Sequence, residues 1–437
     1  MRILLTFPPD VRRTLLLLFA AGLLFWSSLT SMLSTLPLYI EDVGGDPRAV
    51  GVVMGAFAIG LLVSRTWLGP LADRRGRKLV LLIGLAAVAI APLGYAAVEI
   101  LARGSLLNEE GVVSISALGA TIPVMPVLFL LRLGHGVSIA AFATAYVAMV
   151  VDVAPATHRG ETIGYMSLVN PIGLSLGPAV GSFVQASLGY SLFFLLASGL
   201  GWLGALCASS IDTSKAIAPA AAASTSGHYW KMLGNPRVRI PTFVLLMVGL
   251  AFGTLTTFLP LFVRQMGLDF QVGLYYTVSA LASFSVRLLV GRASDKYGRG
   301  VFITMSLMTS ACAMAILWSA QSAASFLLAG MFQGTGFGIL IPTISALMAD
   351  RAEPQERARL FSLCMGGFDL GIAIAGPALG YVAASVGYRH IFGGAAAFVA
   401  VGLLVFVTQA SRDLPHSVRF ALGRDRDVYA LAGSDGT

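Results

Sequence analysis

Gly69-Pro70-Leu71-Ala72-Asp73-Arg74-Arg75-Gly76-Arg77 returns later in the chain as Gly291-Arg292-Ala293-Ser294-Asp295-Lys296-Tyr297-Gly298-Arg299. Each copy joins two long apolar runs. Each also follows an arginine inside the preceding run, Arg65 or Arg287. The pattern R-x-x-x-G-x-x-x-D-x-x-G-R is identical in both, and 287−65, 295−73 and 299−77 all give 222. Polar residues recurring this regularly in an apolar chain point to a duplicated membrane protein with basic loops between paired helices.

Composition agrees. Of 437 residues, 57% are hydrophobic and 11% charged, against about 25% charged in soluble domains. A bilayer-spanning helix needs about 20 apolar residues. Twelve such runs are expected, near 14–40, 49–71, 79–98, 124–148, 162–185, 190–210, 240–263, 271–291, 301–319, 322–348, 359–384 and 389–410. The predicted fold class is an all-α membrane protein of two six-helix bundles, 14–210 and 240–410. These are flanked by an N-terminal segment 1–13, a linker 211–239 and a tail 411–437. The first run is long enough to span, and no small-residue cleavage site follows a short apolar core, so a cleaved signal is not expected.

The net charge of +8 follows topology. With the N-terminus inside, 22 Lys and Arg fall on the cytoplasmic side and only Arg48, Arg103, Arg264 and Arg389 outside. The positive-inside rule then puts both termini in the cytoplasm, and nucleic-acid binding is not needed to explain the charge. Cys207, Cys312 and Cys364 lie in apolar helical runs and read as small core residues, with no metal site expected. The linker stretch Ala218–Ser226 reads as flexible, and His228–Leu233 as a short interfacial helix anchored by Tyr229 and Trp230. The polar tail reads as loosely ordered.

The duplication continues late in each half. Asp152…Arg159 recurs as Asp350…Arg357, Gly177-Pro178-x-x-Gly181 as Gly376-Pro377-x-x-Gly380, and Gly189-Tyr190 as Gly387-Tyr388. Here 357−159 and 388−190 both give 198. The first half therefore holds about 24 extra residues between spans 3 and 4 (222−198). They lie near Glu99–Pro123 and include Arg103, Asn108, Glu109 and Glu110, an outside loop that is either an extracytoplasmic cap or a tolerated insertion.

These motifs resemble the major facilitator superfamily. Gly69, Leu71, Ala72, Asp73, Arg74, Gly76, Arg77 and Lys78 resemble its motif A, G-x-L-A-D-R-x-G-R-K. Arg132-Leu133-Gly134-His135-Gly136 resembles motif B, with His135 in the usual glutamine position. Gly173-x-x-x-Gly177-Pro178-x-x-Gly181 resembles motif C of the antiporters. Together they resemble the 12-span drug:proton antiporters over essentially the whole chain outside linker, tail and insertion. The resemblance implies alternating access by a monomer, with a central site lined by spans 1, 4, 7 and 10. It also implies a latch of Gly69, Asp73, Gly76 and Arg77 with Gly291, Asp295, Gly298 and Arg299. Asp73 would face the start of span 11, and Asp295 the start of span 5, because helix N-termini favour negative charge. The bland reading, a topology signal, accounts for Arg74 and Lys78 but not for a repeated Asp. Gly69 and Gly76 would permit close backbone approach.

Charges inside the spans carry the rest. Arg65 and Arg287 either snorkel to the interface or join the motif A network. Arg132 lies eight residues into span 4, about 12 Å deep at 1.5 Å per residue. A charge there is expensive and marks a functional site or a buried structural pair. His135, one turn on, is either a titrating partner or a packing histidine. Span 1 carries no acid in its core, with Glu41 and Asp42 only at its outer end, which departs from many proton-coupled relatives. The deeply embedded carboxylate is Asp369 in span 11, either a proton carrier alternating with Arg132 or a static hydrogen-bonding group. Gly173, Gly177 and Gly181 share one helix face and allow close packing, while Pro171, Pro178 and Pro377 bend their spans.

The reading is a secondary transporter in the inner membrane, not an enzyme. No nucleophile elbow, phosphate loop or metal-ligand spacing appears, and no cofactor is expected beyond protons as the coupling ion. The expected activity is proton-coupled efflux of a small amphipathic or hydrophobic compound. Phe25, Trp26, Phe142, Tyr146, Phe252, Phe258, Phe332 and Phe337 are candidate cavity residues. The alternative is uptake or export of a polar metabolite such as a sugar or amino acid, with or without coupling. A sensor or assembly factor would need a partner-binding extension that the short tail and linker do not offer. Expected partners are therefore the substrate and the lipid bilayer, with no obligate protein.

Overall fold

The computed structural model describes residues 7–103, 114–117, 120–212, 234–353 and 356–431. In chain order these form α1 (Pro9–Asp42), α2 (Pro47–Arg75), α3 (Arg77–Arg103), β1 (Ser114–Ala117), β2 (Ala120–Pro123), α4 (Val124–Val153), α5 (Arg159–Met166) and α6 (Val169–Ser209). Then follow α7 (Pro236–Gln265), α8 (Val272–Tyr297), α9 (Arg299–Ser319), α10 (Ala323–Asp350), α11 (Arg357–Val386), α12 (Tyr388–Gln409) and α13 (Leu414–Ala421). The chain divides into two compact units, Met1–Ala223 with Gln271–Gly273, and Ser224–Phe270 with Leu274–Thr437.

Local chemistry sets the helix ends. Asp46 accepts the N–H of Ala49 at 2.8 Å and Pro47 follows in the first turn of α2; Asn235 and Pro236 repeat the device at α7. Among the described residues, eleven helical stretches are long and apolar enough to cross a membrane. One of them, Arg159–Ser209, is 51 residues, about twice what one crossing needs even with tilt. Gly189 divides it, with φ 80 and ψ 177. Phe193 of the second leg then comes within 3.1 Å of where a Cβ on Gly181 would stand, so the leg folds back on the first. Eleven stretches plus this division give the twelve spans, and α7 to α12 are spans 7 to 12.

The duplication is visible in backbone angles. Gly76 (φ 92, ψ 152) matches Gly298 (φ 89, ψ 145), 222 positions on. Gly189 matches Gly387 (φ 82, ψ 165), 198 positions on. These angles are close to a region essentially reserved for glycine, so each repeat carries the same two sharp turns. Packing repeats as well. In the first unit α1 lies on α6 and α2 on α4, and in the second α7 lies on α11; Gly334 and Gly338 of α10 face Ser279 and Ser283 of α8. Every one of these seams depends on glycine: a Cβ on Gly177 would stand 2.2 Å from Thr30 Oγ1, and one on Gly136 2.1 Å from the Phe57 carbonyl. In the second unit a Cβ on Gly371 would stand 2.4 Å from the Leu246 carbonyl and one on Gly334 1.9 Å from the Ser279 carbonyl.

Several expectations change. Span 3 runs on to Arg103, so Glu99 belongs to the helix and is buried. The insertion ends in an antiparallel hairpin, Ser114–Ala117 on Ala120–Pro123, a small β element in an otherwise helical fold. Asn108, Glu109 and Glu110 lie outside the described residues, as do Ala218–Ser226 and His228–Leu233. Within the described part of the tail lies a short helix, α13, so that part is not loosely ordered. Of the cysteines only Cys364 is buried; Cys312 is exposed on α9.

Candidate functional site

Motif A is built from the turn between α2 and α3. Gly76 sits there for its backbone angle: a Cβ on Gly69 or on Gly76 would meet nothing within 4 Å, so neither glycine serves close approach. The turn aims two cations at helix C-termini, where carbonyls lack partners and the dipole is negative. Arg77 donates to the Ala148 carbonyl at 3.1 Å and to Asp152 Oδ1 at 2.5 Å, near the end of α4. Lys78 donates to the Ser209 and Ile211 carbonyls at 2.7 and 2.6 Å, at the end of α6. Lys78 is therefore a structural cap as well as a topology charge. Asp73, Arg74 and Arg75 are exposed.

The second copy repeats one half of this and replaces the other. Arg299 Nε donates to Asp350 Oδ2 at 3.1 Å, and its Nη1 to Ser294 Oγ at 2.8 Å. Asp152 and Asp350 are the acids already matched in the repeat, so their role emerges as partners of the motif A arginines. The side chains of Arg292 and Asp295 lie outside the described residues, as does any Cβ environment at Gly291. The position of Lys78 is taken by Gly300 (300−78 = 222). A Cβ there would stand 2.1 Å from the Phe420 carbonyl, so α13 occupies the space. Capping passes to Arg351. Its side chain is 1% exposed and holds Asp427 through Nε at 2.6 Å and Nη2 at 2.9 Å. It also donates to the carbonyls of Arg237 at 2.9 Å and Ala410 at 3.2 Å. Tyr429 lies 5.1 Å beneath the guanidinium, and the Leu431 N–H closes on the Asp350 carbonyl at 3.0 Å.

The buried charge of motif B lies in the first unit. Arg132 is 4% exposed, with its guanidinium 4.4 Å over the Phe57 ring. Its Nη1 stands 3.3 Å from His135 Nδ1, and Tyr95 of α3 stacks obliquely on His135 at 6.1 Å. Tyr95 and His135 are both fully buried. His135 Nε2 has no hydrogen-bond partner among the described residues, while Arg132 and the Tyr95 hydroxyl lie close enough to interact. Guanidinium only donates, so His135 accepts through Nδ1 and carries its proton on Nε2. In the second unit the matching positions hold Gly330, Gln333 and Gly334 (333−135 = 198); the glutamine recurs there without the arginine. Asp369, on α11, is 6% exposed. Arg65 and Arg287 are each partly exposed.

The aromatic candidates divide. Phe25 and Phe142 stack with centroids 3.9 Å apart, Phe142 and Tyr146 at 4.6 Å, and Trp26 stands edge-on to the first two. Tyr146 donates to the Met166 carbonyl at 3.2 Å. Phe252 and Phe337 form a triangle with Phe368, which the sequence reading passed over although it precedes Asp369. Phe332 is half-buried on α10. Phe25 and Phe258 are fully buried, and Phe142 and Tyr146 nearly so. Motif C is the α1–α6 seam: a Cβ on Gly173 would stand 2.4 Å from Trp26 Cβ, and one on Gly181 2.9 Å from the Ser31 carbonyl. Thr30 donates to the Gly173 carbonyl and Ser34 to that of Pro178, at 2.8 and 3.2 Å.

The family model described as Major Facilitator Superfamily matches residues 14–318 and 271–426. The chain belongs to the major facilitator superfamily. It is 24% identical to the staphylopine export protein of Staphylococcus aureus over 89% of its length and 93% of that protein's. It is 26% identical to the multi-drug resistance efflux pump PmrA of Streptococcus pneumoniae, over 84% and 88% of the two chains. Among solved structures it superposes on the xylose transporter XylE from E. coli with a TM-score of 0.71, at 13% identity, covering 93% and 98% of the chains. This major facilitator chain is a multi-span membrane transporter and not an enzyme, with relatives named for multidrug efflux.

Proposed function

We propose that the protein exports a small amphipathic or hydrophobic compound in exchange for protons, working by alternating access as a monomer in the inner membrane with both termini cytoplasmic. The observation that carries the reading is the buried Arg132–His135 pair. A cation in a span is retained at high cost, and this one occupies the lone pair by which His135 would take a second proton. Protonation of His135 therefore requires the guanidinium to leave Nδ1, and a moving guanidinium needs an anion to receive it. Asp369 is the proposed acceptor, so proton uptake and side-chain rearrangement become one event. Relatives named for multidrug resistance and efflux support export of drug-like compounds.

A second reading has its own support. One relative is named for exporting a single compound, staphylopine, which favours a narrow substrate range over broad efflux. The test uses cells stripped of their own pumps, expressing wild type, Arg132→Ala or Asp369→Asn at matched levels. Accumulation of lipophilic dyes and antibiotics is followed with and without a protonophore. Wild type should lower accumulation, the protonophore should abolish this, and both variants should fail. If no compound responds despite membrane expression, broad efflux is wrong and the narrow substrate leads.

A further inference from the structure

We propose that α13 and the strand of chain after it form a fixed docking surface for the anionic phospholipid headgroups of the leaflet on the terminus-bearing side. The first argument is depth. α12 is 22 residues, about 33 Å at 1.5 Å per residue, so its end reaches the headgroup level of a 30 Å hydrocarbon core. α13 starts five residues later (414−409). Its Phe420 ring lies 6.0 Å from Phe406, one turn inside the end of α12. Thr304, in the second turn of α9, donates to the Ala421 carbonyl at 3.0 Å. The helix therefore lies beside the last turns of the spans and not out in water.

The second argument is which face is fastened. Ser417, Phe420 and Ala421 are buried, and Ser417 Oγ accepts the N–H of Ser411 at 2.9 Å. Asp427 on Arg351 fixes the following turn. With the inner face pinned, the outer face is determined: Leu414, Leu422 and Val428 are 56%, 52% and 43% exposed. Large apolar side chains turned outward at this depth meet the acyl boundary.

The third argument is charge. Arg412, Arg419 and Arg424 are exposed beside those apolar residues. Arg412 faces Asp413 at 3.6 Å, whereas neither Arg419 nor Arg424 has an acid partner among the described residues. Leucine at the acyl boundary with arginine at the phosphate level is the pattern of an interfacial helix on anionic lipid.

The test uses the full-length protein purified with its retained lipid and then placed in nanodiscs. Phosphatidylglycerol retention is compared between wild type, Arg419→Gln/Arg424→Gln, and Arg74→Gln/Arg75→Gln as a control of equal charge. A juxtamembrane arginine contributes about 1 kcal/mol, so enrichment should fall roughly fivefold per arginine at the first site. The control should lose less. A spin label at Leu422→Cys, with Cys207, Cys312 and Cys364 replaced by alanine, should favour oxygen over an aqueous nickel chelate in phosphatidylglycerol discs. Equal enrichment in the two double variants, or a Leu422 label equally open to water in charged and neutral bilayers, overturns the assignment. Neither readout depends on transport, so the proposed function can fail while this surface stands.

Discussion

The two copies of motif A begin alike and finish differently. In the first, Arg77 takes Asp152 and Lys78 closes the end of α6. In the second, Arg299 takes Asp350, but lysine has become Gly300 and the tail enters. Arg351, where the first half has Val153 (351−198), now gathers the starts and ends of three elements and the tail. Orphan carbonyls at a helix end must be satisfied. One half does it with a lysine reaching from the next helix, the other with a buried arginine and a returning carboxylate. The duplicated part is the arginine–aspartate pair and the glycine turn; the cap was free to diverge.

The comparison predicts unequal costs. Arg351→Ala leaves Asp427 in a largely buried site, and breaking such a pair costs about 3–5 kcal/mol. Thermal unfolding in detergent should show a large loss, repeated by Asp427→Asn to a lesser degree. Arg77→Ala opens a pair whose side chains are 28% and 19% exposed, so its loss should be nearer 1 kcal/mol. If the two variants lose the same stability, the buried cap is not the stronger device. At Gly177 even alanine must displace Thr30 and the α1 backbone, at about 1–3 kcal/mol by overpacking. Gly69→Ala meets open space and should be neutral or gain up to about 1 kcal/mol.

Gly76→Ala and Gly298→Ala sharpen the shared part. Both glycines hold φ near +90, so each substitution should cost about 1–3 kcal/mol and the two costs should agree. Unequal losses would mean that one turn relaxes and the repeat is not conformational. The smallest effect concerns pH. Asp413 caps α13, and the backbone N–H and then the imidazole of His416 hold its carboxyl below the usual carboxylate range. Its stabilisation is present above the unfolded value and lost as pH falls through the depressed one. Amide exchange in α13 should therefore quicken on acidification, with little change in Asp413→Asn.

Much of this was legible in the sequence. Duplication, twelve spans and glycine seams follow from spacing, because 222 and 198 are preserved and small residues recur every four positions. Partners were harder to read. Asp152 and Asp350 stood out as a repeat, but nothing local says that Arg77 and Arg299 reach them. The tail reads as polar because Asp427 and Arg351 are 76 residues apart, and only folding joins them. Glu99 looked like loop because hydropathy falls there, although the helix continues past it.

The most direct test of proton coupling uses purified protein in sealed vesicles holding a pH-sensitive dye. A compound lowered by wild type in cells is added under an imposed pH gradient. The account predicts compound-dependent proton movement in wild type, lost in Arg132→Ala and Asp369→Asn and kept in Lys78→Met. Compound flux without proton movement in wild type, or proton movement surviving loss of Arg132, would contradict it.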